Sequence, residues 1–434
     1  MDGRHTPDPR KCASGYGAAA GISPIERTGM TGIEQLRFFN LILTADCNLR
    51  CGYCYQNAKK PLRMRWETLR AALDLARASA RREVGVYFLG GEPLLEFPMI
   101  RRAVEYLEKN RPPARRFTYG ISTNGTLLTD EICAFLVDRG FETQISFDGV
   151  PEAQKSRGQE TFAVLDRLLD RLREEHPSFY RRSVRVAVTT SPETMPHLAD
   201  SIDYLLSKGA REIVVMPSIL ADSPWELGRI EELDAQFERI FRASLRLWRE
   251  RGETPLSVFR NKHDEPPAEE TEDSMCGLVR GETVAIDVDG QAYGCTVHAS
   301  SYQEIRSPFL RSCLASMRMG SIVEDGFAAR LDAFPEAARA AGLFHNKRRK
   351  RSAYGRCAEC AYLQQCAVCP TSIGHLPGNA DPDRVPDFYC AYNLVSLKYR
   401  ALFPSRPRPR DLLMGPPGLA EEMERWRILA DAAR

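Results

Sequence analysis

The stretch Cys47-Asn48-Leu49-Arg50-Cys51-Gly52-Tyr53-Cys54 places three cysteines within eight residues, directly after the apolar run Phe38–Thr44. That run has the length and composition of a buried strand, so we expect the cysteines to lie at its carboxyl end. Three thiolates in one loop can bind three corners of a four-iron cluster and leave the fourth iron open for a ligand. A zinc site that lacks one ligand is the alternative interpretation.

The chain from residue 36 to residue 219 alternates short apolar runs with amphipathic segments. The predicted strands are Phe38–Thr44, Val84–Leu89, Phe117–Ser122, Thr143–Phe147, Val184–Thr189 and Glu212–Pro217. The predicted helices are Trp66–Arg81, Pro98–Asn110, Asp130–Arg139, Thr161–Glu175 and Pro196–Lys208. Such alternation is typical of a parallel sheet covered on both faces. It predicts an α/β fold, a partial (β/α)6 TIM-like barrel, with its chemistry at the carboxyl ends of the strands.

Polar and glycine-rich residues end three further predicted strands. They are Gly90-Gly91-Glu92-Pro93, Ser122-Thr123-Asn124-Gly125 and Ser146-Phe147-Asp148-Gly149. Each could be an ordinary turn, because Asn-Gly and Asp-Gly are common turn sequences. Their occurrence in successive units favours one ligand site, where glycines expose backbone and a carboxylate can accept hydrogen bonds from an ammonium group.

These motifs together resemble the radical S-adenosylmethionine superfamily. The Cys-x3-Cys-x2-Cys spacing after the first strand, with an aromatic residue before the last cysteine, carries the resemblance. It implies that Cys47, Cys51 and Cys54 bind a [4Fe-4S] cluster whose open iron holds S-adenosyl-L-methionine. It also implies an enzyme in which an electron from the cluster cleaves this cofactor and yields a 5′-deoxyadenosyl radical.

The resemblance also implies a set of cofactor contacts. Tyr53 matches the aromatic residue near the adenine, Glu92 matches the acceptor for the ammonium group, and Arg157 is a candidate partner for the carboxylate. A surface salt bridge is the alternative interpretation of Arg157. The complete implied set is Tyr53, Gly90, Gly91, Glu92, Pro93, Ser122, Asn124, Ser146, Asp148 and Arg157.

A second cysteine-rich region begins after residue 275. Two short β-like runs, Thr283–Asp287 and Gln291–Val297, are joined by the hairpin signal Asp289-Gly290. The region resembles the SPASM extension of many radical enzymes that modify peptides, which implies two auxiliary [4Fe-4S] clusters. The implied distal ligands are Cys357, Cys360, Cys366 and Cys390, and the implied proximal ligands are Cys276, Cys295 and Cys369.

The second region departs from the SPASM pattern in two ways. Only two residues separate Cys366 from Cys369 where three are usual, so the assignment of Cys369 is exchangeable with a neighbour. The proximal cluster also lacks a fourth cysteine, and its fourth position is either open to substrate or filled by Cys313, His298 or a backbone group. Zinc is again the alternative metal. Two other cysteines have no predicted metal role: Cys133 is expected in the core, and Cys12 lies in the N-terminal segment.

The composition divides the chain into five predicted segments. Residues 1–32 are expected to be a mobile leader and residues 33–260 the partial barrel. The acidic segment 261–274 is expected to be a linker, residues 275–393 the SPASM domain, and residues 394–434 a tail that ends in a helix from Gly418 to Ala433.

The charge and cysteine content restrict the class of protein. Sixty basic residues against 58 acidic ones give a net charge of +2, which offers no argument for a nucleic-acid or membrane partner. No apolar run reaches the roughly 18 residues of a membrane span, and the N-terminal segment lacks the apolar core of a secretory signal. Thirteen cysteines without an export signal indicate metal binding rather than disulfides, so we predict a cytoplasmic location.

The implied reaction is oxidation or crosslinking of a ribosomally made peptide. Two residues argue against sulfatase maturation, since Thr296 stands where that branch has an acidic residue and Glu282 stands where it has a cysteine. The same radical chemistry on a small metabolite, such as a dehydrogenation, is the first alternative. A non-catalytic zinc or iron–sulfur binding module is the second.

The predicted partners follow from this chemistry. An external electron donor of the flavodoxin or ferredoxin type is expected to reduce the cluster. Only forty-six residues precede Cys47, too few for a leader-binding module, so a separate leader-binding protein or a small substrate is expected. The basic run Lys347-Arg348-Arg349-Lys350-Arg351 could attract an acidic leader peptide, although an exposed, solvated loop is the favoured interpretation.

Overall fold

A computed structural model of the chain provides the structure analysed below. It describes residues 32–56, 58–220, 224–260, 281–302, 315, 317–340, 347–366, 368, 381 and 383–404. The predicted linker and the predicted C-terminal helix lie outside the described residues, as does the predicted leader except for its last residue. Four cysteines also lie outside them, namely Cys12, Cys276, Cys313 and Cys369.

All six predicted strands are confirmed, and each end lies within one residue of its predicted position. The described strands are β1 (Phe38–Thr44), β2 (Glu83–Gly90), β3 (Arg116–Thr123), β4 (Glu142–Ser146), β5 (Val184–Thr190), β6 (Ile213–Pro217), β7 (Thr283–Ile286), β8 (Gln291–Tyr293), β9 (Arg318–Ser321), β10 (Arg351–Ser352) and β11 (Gly355–Arg356). Strands β1 to β6 form an open parallel sheet in chain order, which is the predicted partial barrel.

The hairpin of the second cysteine region extends the barrel sheet. Strand β7 pairs in parallel with β1, and Phe38 lies opposite Thr283, so the sheet order is β6-β5-β4-β3-β2-β1-β7-β8-β9. The predicted turn is present, with Gly290 at a φ of 82°. The predicted strand Gln291–Val297 is shorter than expected, because a 3₁₀ turn occupies Thr296–His298.

Helices cover the outer face of the sheet. Those in the barrel region are Gly32–Gln35, Trp66–Ala78, Phe97–Lys109, Asp130–Asp138, Pro151–Gln154, Thr161–Glu175, Pro177–Arg182, Leu198–Ser207, Ile230–Arg251 and Ser257–Arg260, and Phe327–Ala340 and Asp387–Leu402 follow. The first long helix ends at Ala78 instead of the predicted Arg81, since the chain turns there to enter β2.

The main core lies between the sheet and these helices. Phe39, Leu41 and Phe88 are fully buried on the strands, and Phe88 stacks on Phe141 with ring centroids 6.0 Å apart. Cys133 belongs to the same core with 2% of its surface exposed, as predicted for a packing cysteine. Among the described helices, none is long and apolar enough to cross a membrane.

The helix Asp387–Leu402 was not predicted from the sequence. Its buried residues surround most of its circumference, so it lacks the one-sided apolar stripe that identifies an amphipathic helix. The Tyr392 hydroxyl donates to the Val215 carbonyl over 2.8 Å, and Lys398 pairs with Asp234 at 2.7 Å. These contacts attach the helix, which carries Cys390, to β6 and to the helix Ile230–Arg251.

A substitution at Gly149, which follows β4, tests how tightly the end of this strand is packed. Its φ is 100°, and a Cβ there would lie 2.3 Å from the Cβ of Ser201 on a neighbouring helix. We expect Gly149→Ala to lower the free energy of unfolding by about 2–4 kcal/mol, because both overpacking and the left-handed backbone are costly. Denaturant unfolding of the metal-free chain measures this change.

Gly228→Ala is the matched control for Gly149→Ala. Gly228 has no atom within 4 Å of its added Cβ and lies in a 3₁₀ turn, so its replacement is expected to change stability by less than about 0.5 kcal/mol. Equal unfolding midpoints for the two variants would show that the end of β4 is not tightly packed.

Candidate active site

The three cysteines of the first motif lie on a loop that begins where β1 ends. The Thr44 hydroxyl accepts a hydrogen bond from the Asp46 amide at 3.1 Å, and the Asp46 carboxylate accepts one from the Cys47 amide at 2.8 Å. The Cys54 amide donates to the Cys51 carbonyl at 3.2 Å. Cys47 is buried, whereas Cys51 and Cys54 are half-buried, so the loop presents its thiols from the protein toward the open side of the site.

Two glycines at the end of β2 allow the cysteine loop to lie close to the backbone of β2. The Gly91 amide donates to the Thr44 carbonyl at 2.9 Å, and the next amide, of Glu92, donates to the Asp46 carbonyl at 2.9 Å. A Cβ on Gly91 would lie 2.1 Å from the Asp46 carbonyl oxygen, and one on Gly90 would lie 2.7 Å from that of Thr44. Because these neighbours are backbone atoms, they cannot move aside, and only glycine fits at this contact.

Glu92 connects the ends of β2 and β3 inside the protein. Its fully buried carboxylate accepts hydrogen bonds from the Leu94 amide at 3.0 Å, from the Thr123 hydroxyl at 2.7 Å and from the Asn124 amide at 2.7 Å. Burial raises the pKa of the Glu92 carboxyl, and the three donors oppose this effect. Three of the roughly four acceptor positions of this carboxylate are therefore occupied by donors of the chain itself.

Asn124 brings the end of β3 to the cysteine loop. Its side-chain amide donates to the Asn48 side-chain oxygen at 2.8 Å and lies 3.9 Å from the Cys47 sulfur. Its side-chain oxygen accepts a hydrogen bond from the Thr126 amide at 3.0 Å, which fixes the orientation of the group. Hydrogen bonds to the sulfur ligands of an iron–sulfur cluster are among the factors that set its potential.

Tyr53, inside the cysteine motif, is attached to the end of β4. Its hydroxyl donates to the Asp148 carboxylate, and the Arg157 guanidinium lies over its ring, 5.3 Å from the centroid. Burial raises the pKa of the Tyr53 phenol, so the group remains a neutral donor to this carboxylate. The structure places Tyr53 in this internal network, and its position near an adenine stays a prediction.

Asp148 is the centre of that network. It accepts two hydrogen bonds from Arg157, at 2.9 and 2.8 Å, and one from the Thr189 amide on β5 at 2.9 Å. Arg157 and Asp148 are only 8% and 1% exposed, so the surface salt bridge that was the alternative for Arg157 is wrong. A buried, bidentate ion pair of this kind is expensive to disrupt, because either partner alone would be a buried, uncompensated charge.

Two cations lie near the half-buried Cys51. Burial raises the pKa of the Cys51 thiol, and the positive charges of Arg157 and Lys59 oppose this effect. Lys59 is held in place by a 2.8 Å hydrogen bond to the Leu49 carbonyl. Positive charge at this position favours the thiolate, which is the form that binds metal.

The three thiols suit separate corners of a cluster. Cys51 lies within electrostatic reach of Cys47 and Cys54. In the described part of the chain, no three potential ligands lie close enough together to bind a single metal ion. Each cysteine of a cubane binds a different iron, so its thiols need not meet at one point.

The structure brings the four predicted distal cysteines together. Cys357 and Cys360 lie on one 3₁₀ turn, Cys366 follows another, and Cys390 lies in the first turn of the helix Asp387–Leu402. All four are half-buried and within electrostatic reach of one another. Burial raises the pKa of Cys366 to about 11 and that of Cys390 to about 12, so metal binding must displace their protons.

The predicted proximal cysteines are only partly described. Cys295 follows β8 and is half-buried, while Cys276 and Cys369 lie outside the described residues. His298, one candidate for the fourth ligand, is buried with 1% of its surface exposed.

The prediction that the basic run is an exposed loop is wrong for two of its residues. Lys347 and Lys350 are only 4% and 1% exposed, and they lie beside the distal cysteines. Arg348 and Arg351 are exposed, as that prediction required.

The remaining predicted contacts have clear positions. Pro93 is buried at the start of a 3₁₀ turn, Ser146 ends β4, and Ser122 accepts a hydrogen bond from the Gln144 side chain at 3.1 Å. Sequence reasoning missed Thr123, although it stands between two selected residues. It also missed Gln154, whose side-chain oxygen accepts a hydrogen bond from the Asp148 amide at 2.9 Å, because no motif marks it.

A polar cavity of about 230 Å³ lies on the inner face of the sheet. It is lined by Asn40, Tyr87, Leu89, Ile121, Ser122, Glu142, Thr143, Gln144, Arg182, Ser183, Arg185 and Glu212. Leu89 and Ser122 immediately precede the strand ends that carry Gly90 and Thr123. Glu142, Ser183, Arg185 and Glu212, by contrast, lie at or just before the starts of β4, β5 and β6. The cavity therefore extends toward the amino ends of these strands, and it carries charges of both signs.

Removing the charge of Asp148 tests the network that holds the cysteine loop. We expect Asp148→Asn to lower the free energy of unfolding by about 3–5 kcal/mol, because Arg157 would remain buried without its counter-charge. Denaturant unfolding of the metal-free protein measures the change. Glu238→Gln is the control, since it removes an exposed partner of Arg242 and should cost less than about 0.5 kcal/mol. Similar losses in both variants would contradict the proposed importance of the buried pair.

The sequence of the barrel region is similar to that of a known protein family and of known proteins. Residues 41–205 match the family described as the radical SAM superfamily. The chain is 27% identical over 182 residues to the uncharacterized protein MJ0907 of Methanocaldococcus jannaschii, in 42% of this chain and 62% of that protein. It is 26% identical over 302 residues to a serine-type anaerobic sulfatase-maturating enzyme of Klebsiella aerogenes, in 66% of this chain and 69% of that enzyme.

A solved structure extends the similarity through the second cysteine region. Native anSMEcpe with bound AdoMet and the Kp18Cys peptide superposes with a TM-score of 0.62 at 18% identity, over 84% of this chain and 96% of that chain. At this level of identity the similarity establishes the fold. The chain therefore contains a radical SAM domain in residues 41–205, and the region that follows has a SPASM-like fold.

Proposed function

We propose that this protein cleaves S-adenosyl-L-methionine reductively and uses the resulting radical to remove a hydrogen atom from a peptide. One observation carries the proposal, namely that the cysteine loop, Glu92 and Asn124 meet at one edge of the sheet. When bound at Cys47, Cys51 and Cys54, a [4Fe-4S] cluster would supply the electron that breaks the sulfonium bond.

The chain's own residues have distinct tasks in this proposal. Glu92 offers its remaining acceptor position to the ammonium group of the cofactor, and Asn124 donates toward the Cys47 sulfur. Tyr53, Asp148 and Arg157 hold the cysteine loop against β4 and β5. The loop would therefore keep a bound cluster in one position. Such fixed geometry is needed because a carbon radical must be close to its target and shielded from water.

The polar cavity is smaller than a pocket that encloses a whole small ligand. Its volume of about 230 Å³ is below the roughly 300–1,000 Å³ typical of pockets that enclose whole small ligands. Gln144, Arg185 and Glu212 provide donors and charges of both signs there.

The comparisons support a peptide substrate without identifying it. The Klebsiella relative is named for sulfatase maturation, and the similar solved structure contains a peptide. We propose a different peptide for this chain, because Thr296 and Glu282 occupy the two positions where sulfatase maturases have an acidic residue and a cysteine. Glu282 instead pairs with Arg81 at 3.6 Å, at the start of β7.

The auxiliary cysteines complete the proposed electron path. Two further [4Fe-4S] clusters, a distal one at Cys357, Cys360, Cys366 and Cys390 and a proximal one that includes Cys295, would accept the electron that the substrate radical loses. An external donor of the flavodoxin or ferredoxin type would reduce the first cluster. We also propose a cytoplasmic location and a separate leader-binding protein.

The cofactor reaction is tested by replacing Cys51. We expect the reconstituted wild-type protein to hold about twelve irons per chain and to form 5′-deoxyadenosine under a strong reductant. Cys51→Ala should hold about eight irons and form none of this product, because the first cluster loses a ligand. Iron analysis and chromatography of the nucleoside products measure the two effects.

Cys133→Ala is the control, since this cysteine is buried in the core and has no predicted metal role. It should retain both the iron and the product. Formation of 5′-deoxyadenosine by Cys51→Ala would refute the assigned site, and an iron content of about four in the wild type would remove the auxiliary clusters.

The substrate class is tested with short peptides encoded beside the gene. We expect one of them, co-expressed with the wild-type protein, to lose hydrogen in a defined residue and to remain unchanged with Cys51→Ala. High-resolution mass spectrometry of the recovered peptides measures this difference. If the peptides stay unmodified while a small metabolite accelerates 5′-deoxyadenosine formation, the peptide proposal is wrong and the metabolite alternative replaces it.

A further inference from the structure

Two lysines of the basic run are buried beside the distal cysteines. The run Lys347–Arg351 folds as a 3₁₀ turn followed by strand β10. Lys347 and Lys350 are 4% and 1% exposed, whereas Arg348 between them is exposed. The three-residue period of the turn therefore directs two cations of the run into the protein.

The positions of these lysines bring their charges to the cysteines. The Lys347 ammonium donates a hydrogen bond to the Cys366 carbonyl at 2.8 Å. The Cys357 amide donates to the Lys350 carbonyl at 3.0 Å, so the backbone of Lys350 is adjacent to that of the first cysteine of the set. The charge of Lys350 acts on the Cys357 thiol and that of Lys347 acts on the Cys366 thiol.

A hydroxyl group completes the arrangement. The Ser352 hydroxyl donates to the Cys390 sulfur at 3.0 Å and accepts a hydrogen bond from the Tyr354 amide at 3.1 Å. The β10–β11 hairpin that carries Ser352 is held by the Arg351 amide, which donates to the Asp383 carbonyl at 2.8 Å. Lys347 and Ser352 thus donate to two of the four distal cysteines, and the backbone of Lys350 binds that of a third.

Buried cations require nearby negative charge. Moving an ammonium group from water to a protein interior costs several kcal/mol unless an anion compensates it. A four-iron cluster held by four thiolates is an anion, and it becomes more negative when it accepts an electron. Nearby positive charge and hydrogen bonds to sulfur therefore favour the reduced state.

We propose that Lys347, Lys350 and Ser352 form a counter-charge shell that raises the reduction potential of the cluster at Cys357, Cys360, Cys366 and Cys390. The inference rests on the distal cluster of the proposed function. In this arrangement the three side chains are positioning residues that act through the cluster. They make the distal cluster a better acceptor for an electron that arrives from the substrate.

The same observations argue against a leader-peptide role for the two lysines. A side chain that is 4% or 1% exposed cannot pair with an acidic peptide at the surface. Of the exposed arginines in the run, Arg351 already pairs with Asp381 at 2.5 Å. The basic run is therefore better explained by the cysteines that it touches than by an external partner.

The test isolates the distal cluster in the full-length chain. In a Cys51→Ala, Cys295→Ala background, the other two clusters each lose a ligand, and about four irons per chain should remain. A redox titration followed by electron paramagnetic resonance then measures one midpoint potential.

We expect Lys350→Gln and Lys347→Gln to shift this midpoint potential to more negative values, and Ser352→Ala to shift it less. Lys350→Arg should retain the potential, and the exposed control Arg348→Gln should leave it unchanged.

The outcomes separate the two levels of the proposal. If the background protein holds no iron, the distal cluster itself is wrong. If iron is retained but the potential is the same in Lys350→Gln, Lys347→Gln and Arg348→Gln, the cluster stands and the counter-charge role is wrong. If Lys350→Gln loses its iron while Lys350→Arg keeps it, the positive charge is required to hold the anionic cluster, which also supports the proposal. If both Lys350→Gln and Lys350→Arg lose their iron, the midpoint potential of Ser352→Ala becomes the test. An unchanged midpoint potential in Ser352→Ala would then overturn the inference.

Discussion

The hydrogen bonds of the Asp148 carboxylate hold the proposed active site together. This group accepts from Tyr53 in the cysteine loop, from Arg157 beyond β4 and from the Thr189 amide on β5. Three segments that are distant in the chain therefore share one buried anion. Because a buried carboxylate is stable only when its partners are in place, the network defines one position for the loop.

The close contact between β1 and β2 supports the other side of the same loop. Gly91 lies directly against the Asp46 carbonyl, and Glu92 ties that contact to the end of β3. The cysteine loop is thus held from two directions, by backbone contact on one side and by a buried ion pair on the other. Such rigidity suits a site that must keep a reactive cluster and a radical precursor in fixed relation.

The second cysteine region is structurally continuous with the barrel. Strand β7 pairs with β1, the strand that leads into the first cysteine loop, and the helix Asp387–Leu402 packs on β6 and on the helix Ile230–Arg251. The two cysteine regions are therefore attached to one sheet at β1 and at β6. This construction joins the two cysteine regions through one sheet.

The sequence by itself determined the six parallel strands, the cysteine loop after β1 and the polar strand ends, because these follow from local periodicity and spacing. It also grouped Cys357, Cys360, Cys366 and Cys390, which the structure places within electrostatic reach of one another. Only the tertiary structure decided that Arg157 binds Asp148, that Lys347 and Lys350 are buried beside cysteines, and that Asp387–Leu402 is a helix. Long-range partners decide these features: an ion pair, the burial of a lysine or a helix buried on most sides leaves no periodic signal in the chain.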